Sequence, residues 1–223
     1  MKNTSGKYGL CAIVEEQDCT GCSACMNVCP KGAITMEENP IGHILPFIHE
    51  YKCVDCNLCR KVCPSIDNLS LLNPIQKVYA AWARNKEEHA SSTSGGVSAV
   101  ASLNVVLNGG SVYGCASLPG CQFEHVRINN IEDLQKIKGS KYVQSNIGMI
   151  FKSVKEDLKT GKKVLFTGTP CQIASLKKYL LKDYSNLYTI DLVCHGEKKK
   201  KLLKEHIKYV GFSLYDIDRV SFR

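Results

Sequence analysis

CTGCSACMNVCP, residues 19–30, and CVDCNLCRKVCP, residues 53–64, place every cysteine at the same offset. Both read C-x2-C-x2-C-x3-C-P. Three thiolates separated by two residues wrap a short loop around one face of a cubane cluster. The fourth, followed by Pro, sits on a helical turn pointing away from that loop. In the bacterial two-cluster arrangement this fourth cysteine ligates the other cluster. The expected ligands of one [4Fe-4S] cluster are therefore Cys19, Cys22, Cys25 and Cys63, and those of the second are Cys53, Cys56, Cys59 and Cys29. Crossed ligation explains the repetition, because each half supplies what the other lacks. A pair of zinc sites is the competing reading. Zinc knuckles use pairs of cysteines or Cys/His mixtures at longer intervals, which this doubled run does not match.

The chain has 223 residues, enough for one small and one medium domain, with 22% charged residues and thirteen cysteines. The odd count, the tight clustering of eight of them and the absence of an export signal in MKNTSGKYGLCAIVEE favour metal binding over disulfides, and a cytoplasmic location. No window reaches the length of a membrane span. The formal charge of +8 counts cysteines as neutral. Two oxidised clusters with their thiolates carry about −2 each and would lower it to about +4. With no interleaving of basic and aromatic residues on a recognisable motif, nucleic acid is not an expected partner.

Residues 8–66 resemble the two-cluster bacterial ferredoxin domain. Between its halves, KGAITMEENPIGHILPFIHEYK alternates apolar and polar residues around Asn39-Pro40 and Gly42, predicting two short strands and a turn. The two clusters should lie close enough for fast electron hopping. Cys11, in the apolar stretch LCAIV, reads as a buried structural thiol on a strand.

Residues 67–77 read as a linker, and residues 78–223 as an α/β unit. VYAAWA, SVYGCA, KKVLFTGTP and LYTIDLVC predict strands. VSAVASLNVVL, IEDLQKI, IGMIFKSVKEDLKT and QIASLKKYL predict helices, while FEHVRI alternates. Strand, helix, strand at this spacing is a parallel crossover, and ligands in such sheets sit beyond the carboxyl ends of strands. Cys115, Cys171 and Cys194 fall at three such ends. Thr169 is a cap and Pro170 a first helical residue, which puts Cys171 in a first turn where the helix dipole favours a thiolate. His195 follows Cys194 in CHG and is a candidate proton carrier. STSGG, residues 92–96, opens a helix with a hydroxyl and two glycines, either as a plain cap or as a phosphate cradle. A cysteine hydrolase built on Cys171 and His195 would also need a base in contact and an oxyanion site, for which the sequence offers nothing.

SSTSGGVSAV, KGSKYVQS, LFTGTPCQIASLKKYL and DLVCHG together resemble the beta subunit of coenzyme F420 hydrogenase/dehydrogenase. The resemblance implies an α+β chain: a two-[4Fe-4S] ferredoxin-like domain followed by a partial α/β flavoprotein-type module. It implies FAD near Ser94, Gly95, Gly96, Gly139, Ser140, Lys141, Tyr142, Gln144 and Ser145. It further implies a third [4Fe-4S] cluster near the flavin that Cys171 and Cys194 help to hold, with Cys171 and His195 as the catalytic candidates. The function implied is an iron–sulfur oxidoreductase. It would pass electrons between clusters and a flavin, with a deazaflavin or another small molecule accepting or donating hydride and a redox protein or second subunit as partner. The alternative is a non-enzymatic electron carrier or docking fragment. Typical members carry a small and a polar residue at the positions of Cys115 and Cys121, and continue with V-P-S after CHG where this chain has EKKKKLLKEH. They also extend well beyond the segment matching DIDRVSFR, so the expected module is incomplete. The run Lys198–Lys201 reads as a solvated helix face or, more sharply, as a dock for an acidic electron carrier.

Overall fold

In the computed structural model of this chain, residues 13–66, 74–217, 220 and 222 are described. Cys11, most of the linker and much of DIDRVSFR lie outside these residues.

The cysteine-rich part is built as two copies of one loop-and-turn unit. The first loop enters α1 (Ala24–Val28) and the second enters α2 (Leu58–Lys61), with β1 (Ile34–Glu38) and β2 (Ile44–Ile48) between them. The two strands pair antiparallel from Ile34↔Ile48 to Glu38↔Ile44, closing on the expected Asn39–Gly42 turn. Left-handed residues recur at equal offsets in the two loops: Gly21 with Asp55, and Ser23 with Asn57. The backbone thus reproduces the sequence repeat.

The second part opens with α3 (Lys86–Ser91) and α4 (Val97–Leu107), followed by the hairpin β3 (Ser111–Leu118) and β4 (Gln122–Ile128). Next come α5 (Leu134–Ile137), α6 (Ile150–Lys159), β5 (Val164–Gly168), α7 (Pro170–Leu180), β6 (Leu187–Asp191) and α8 (Lys200–Tyr209). The sheet order is β4-β3-β5-β6. β5 is parallel to β3 and to β6, as the crossover pattern requires, and β4 adds an antiparallel edge. Alternation along the central strands divides the core. Tyr113, Val164 and Phe166 pack with α6 and α7, whereas Val112 and Leu165 pack with α4 and α5.

The larger core does not stop at the module. Ala24 and Val62 of the cysteine-rich part are buried in one cluster with Phe151, Val154, Ile173 and Leu176. Asn27 Nδ2 donates to the Gly148 carbonyl at 2.7 Å, Gln144 Nε2 to Thr20 O at 3.0 Å and Lys178 Nζ to Cys63 O at 3.2 Å. Gly21 is required at this seam. Its φ is +65°, and a Cβ there would stand 2.4 Å from Gln144 Nε2 and 2.8 Å from the Ile44 carbonyl.

Three expectations are corrected. VYAAWA forms no strand: Val78, Tyr79 and Trp82 are exposed and only Ala83 is buried, its N–H donating to Gly95 O. An apolar run becomes a strand only beside a partner edge, and among the described residues this one meets none. IEDLQKI shortens to the single turn α5, because Lys138 is already extended and Gly139 takes a left-handed φ. The lysine run is neither a free solvated face nor a free dock. Lys201 Nζ reaches the Pro40 carbonyl at 2.5 Å, Lys200 bonds Gln122 Oε1, and the Lys199 and Lys201 stems lie over Gly42.

Candidate functional site

The fold gathers the eight repeat cysteines in the crossed pattern. Cys29, Cys53, Cys56 and Cys59 line one cavity of about 70 Å³, closed below by Ile13, Ile34 and Ile48. Cys29 comes from the first sequence run and the other three from the second. In the complementary set, Cys63 sits close enough to Cys19 and Cys22 for its charge to act on both. Among the described residues no three His, Cys, Asp or Glu side chains converge as ligands of a single ion would. The second set instead surrounds a space, which suits the corners of a cube better than a tetrahedral ion.

The thiols differ in how hard they are to ionise. Burial pushes Cys19 up to about 11, partly offset by the Gly21 N–H aimed at its sulfur, with the Cys22 and Cys63 charges adding to the rise. Burial also raises Cys22, Cys25 and Cys59, against N–H groups of Ala24, Met26 and Arg60 respectively. Ala33 N–H donates to Cys29 Sγ at 3.3 Å. These amides do not ionise the thiols unaided. They are placed to stabilise a thiolate once iron draws the proton off, and such N–H···S contacts also tune a cluster's potential.

The α/β module meets the first cysteine set at the start of α7. Ser175 Oγ approaches Cys22, and Cys171 lies within the electrostatic reach of Cys22, Cys194 and Glu197. The expected capping holds: the Thr169 N–H donates to Gln172 Oε1, and Thr169 Oγ1 lies 3.2 Å from Cys171 Sγ. The expected thiolate does not. Burial raises the Cys171 thiol, and the Thr169 hydrogen bond only partly opposes it. The helix N-terminus is outweighed here by desolvation and by the neighbouring acidic groups.

Cys115, Cys171 and Cys194 do follow the parallel part of the sheet. Cys115 stands two residues past the last parallel β3–β5 pair, Tyr113↔Phe166, but within β3, because β4 extends the strand to Leu118. Burial pushes Cys115 up to about 11, eased by Lys141 and Ser145. Cys194 is exposed in the loop after β6, its sulfur accepting from the Gly196 N–H. His195 is exposed as well, and its ring makes no hydrogen bond among the described residues.

The two segments assigned to FAD are brought together. Thr93 Oγ1 accepts the Ser140 N–H at 3.1 Å, and Lys138 Nζ bonds Ser91 Oγ and pairs with Glu88 at 2.7 Å. Gly96 caps α4 in the left-handed region, and a Cβ at Gly95 would strike the Ala81 carbonyl at 2.5 Å. Tyr142 is half exposed. Gln144 and Ser145 point elsewhere: Gln144 across the seam to Thr20, Ser145 into the core. A large open groove of about 1,270 Å³ flanks these loops. It is lined by Ser91, Val97 and Lys138, along with Trp82, Asn104 and Tyr188, rather than by the assigned glycines themselves.

Residues 18–66 match the 4Fe-4S dicluster domain, and residues 161–223 match the C terminus of the coenzyme F420 hydrogenase/dehydrogenase beta subunit. The two matches cover separate parts of the chain, the cysteine-rich part and the C-terminal part of the α/β module. The chain is 28% identical over 198 residues to a coenzyme F420-dependent sulfite reductase of Methanocaldococcus jannaschii, covering 87% of this chain and 30% of that protein's length. A chain of the F420-reducing [NiFe] hydrogenase complex from Methanosarcina barkeri aligns with a TM-score of 0.47 at 22% identity, over 60% of this chain and 49% of that one. No described helix is long and apolar enough to cross a membrane.

A polar relay behind the site was not anticipated from the sequence. Gln172 Nε2 donates to Ser145 Oγ at 2.9 Å, Ser145 donates to His125 Nδ1 at 3.0 Å, and His125 Nε2 donates to the Thr167 carbonyl at 3.0 Å. Every donor and acceptor in this chain is matched when His125 is neutral. Burial holds His125 neutral, down to about 4, against the Thr167 hydrogen bond. The relay ties β4, β5, α7 and the 142–147 segment together. Its one sequence signal was a histidine inside the alternating FEHVRI. Glu197, raised by burial, also faces Cys115 and Cys171 and was not anticipated. Behind the same sheet, Tyr113 Oη and a two-pronged Arg127 both bond Asp157. Burial opposes ionisation of Asp157, yet these partners hold its carboxyl at about 2.

Proposed function

We propose that this chain is an iron–sulfur flavoprotein subunit carrying single electrons between two [4Fe-4S] clusters and FAD on the α/β module, with a deazaflavin or similar small molecule exchanging hydride. The observation that carries this reading is the crossed gathering of the cysteines, with Cys29 delivered to Cys53, Cys56 and Cys59 while the other set is sealed against α7. Cys19, Cys22, Cys25 and Cys63 would hold the inner cluster, and Cys29, Cys53, Cys56 and Cys59 the outer one. The flavin, when bound, supplies the junction between one-electron and two-electron chemistry. Ser94–Gly96 and Gly139–Lys141 would supply the backbone N–H groups for its phosphates, and their meeting at Thr93 and Ser140 supports that assignment.

Cys171 lies just past the carboxyl end of β5 and within electrostatic reach of Cys22, which supports a route from the inner cluster to the flavin through this point. With Cys194 it would contribute two ligands to a third cluster. A redox protein or second subunit would supply or withdraw the electrons. Iron, acid-labile sulfide and flavin measured after anaerobic reconstitution test the reading. Two four-iron clusters give about eight irons per chain, and the reading expects these with bound FAD that the reduced clusters can reduce. About twelve irons would add the third cluster. Eight irons with no flavin at micromolar protein would leave an electron carrier and overturn the flavoprotein assignment.

A further inference from the structure

The two cysteine sets differ in what lies around them. The inner set is closed off: Cys25 is buried, Cys22 packs against the core of the module, and Lys178 reaches the Cys63 carbonyl. The outer set opens to solvent. Cys56 is exposed, and Tyr51 and Val54 beside it are 80% and 57% exposed. Around this opening stand Lys31 and Arg60, which line the cavity, with Lys52 next to Cys53 and Lys61 next to Arg60, all exposed. Glu50 and Asp55 are the acidic groups of the same rim. Lys52 Nζ lies 5.3 Å over the Tyr51 ring, so part of the positive charge is held beside an exposed aromatic face.

We propose that the rim of Lys31, Lys52, Arg60 and Lys61 around the outer cysteine set is the docking port for a small acidic one-electron carrier protein, and that electrons pass from there through the inner set to the module. This rests on the reading that both sets hold [4Fe-4S] clusters. The charge is complementary to an acidic face, the apolar patch of Tyr51 and Val54 gives it a dry centre, and the exposed cluster edge keeps the transfer distance short. Among the described residues the inner set is the more enclosed, with Cys25 buried and Cys22 packed on the module, so the outer set is the nearer to an arriving protein. Each encounter oxidises the carrier by one electron and reduces the outer [4Fe-4S] centre by one. Two encounters supply the pair that, with one proton from solvent, makes a hydride. In the lysine run, Lys200 and Lys201 are already engaged with Gln122 and the Pro40 carbonyl, so the run is the poorer port.

The test is binding of an acidic bacterial ferredoxin to the reconstituted protein, with iron content measured on every sample. The paired variant K52E/K61E should weaken binding about tenfold or more at low ionic strength, while K152E/K159E on α6 leaves it unchanged. Raising ionic strength from about 0.01 M to about 0.15 M shortens screening from about 30 Å to about 8 Å and should weaken binding to the unaltered protein. Reduced methyl viologen, a small cationic donor, should still reduce K52E/K61E fully. If K52E/K61E loses iron, the neutral K52Q/K61Q pair replaces it, with weaker ferredoxin binding again expected. Binding that ignores both ionic strength and these substitutions, at about eight irons per chain, overturns the port. Absence of iron from the unaltered protein would instead overturn the cluster reading on which it rests.

Discussion

The two cysteine loops share spacing, left-handed positions and secondary structure, yet the fold treats them oppositely. The first has Gly21 and Ser23 at its left-handed positions, both buried, while the second has Asp55 and Asn57 at the same offsets, both exposed. The first is pressed onto α7 and the 142–147 segment, and the second faces solvent. Repetition of the spacing therefore fixes the local loop geometry. The residues between the ligands fix which copy faces inward. Glycine is needed where another backbone and Gln144 come within contact, and Asp or Asn suffices where a left-handed turn has only water above it.

The sharpest way to break this comparison is to remove one ligand from each loop. Cys22→Ser should abolish the inner cluster, and with it electron delivery to the module. Cys56→Ser should keep about four of eight irons and retain photochemical or dithionite reduction of the remaining cluster. Iron content and low-temperature electron spin resonance of the two variants check this. Loss of all eight irons in either variant would deny that the sets are separate.

Next in size is the matched pair Gly21→Ala and Asp55→Ala. The first forces a Cβ into Gln144 and the Ile44 carbonyl at a left-handed φ, and should cost about 2–3 kcal/mol. The second is also left-handed but exposed, so it bears only the backbone strain and should cost about 1 kcal/mol. Urea midpoints of the two variants, measured anaerobically, decide it.

The third prediction concerns the module's side of the seam. His125 is neutral when folded, with its pKa lowered to about 4 from an ordinary 6.5. Between these values the unfolded chain binds the extra proton, so this stabilisation is full above about 6.5 and is lost as pH falls toward 4. Going from pH 7 to pH 5 should cost about 2 kcal/mol through this residue alone. His125→Gln should flatten that part of the pH dependence in the same urea titrations, whereas a slope unchanged by the substitution would assign it elsewhere.

The smallest effect belongs to the seam itself. Gln144→Ala removes the hydrogen bond to Thr20 and should cost about 1 kcal/mol. Hydrogen exchange should report it by speeding amides of the first cysteine loop while sparing the second.

Much of this was readable in advance. Cysteine spacing predicted the repeated loop-and-turn unit, because thiols two residues apart in a loop leave few geometries. The strand-helix-strand periods gave the parallel core of β3, β5 and β6, because backbone pairing and side-chain alternation are local patterns. Val78–Ala83 was misread because an apolar run carries no record of whether an edge will be available to it. Cys171 was expected as a thiolate because helix capping is local, whereas the burial and the Glu197, Cys22 and Cys194 charges that reverse the effect arrive from elsewhere in the chain. The relay through His125, Ser145 and Gln172 joins residues 20 to 47 apart, none of which forms a motif in sequence.

By itself the sequence determined that two cysteine loops repeat one spacing and that the parallel strands alternate with helices, since both are written in periods along the chain. Only the tertiary structure decided which cluster faces solvent, which lysines are already engaged and which cysteine lies beside the inner set. Those outcomes depend on burial and charge summed over distant neighbours, which spacing does not encode.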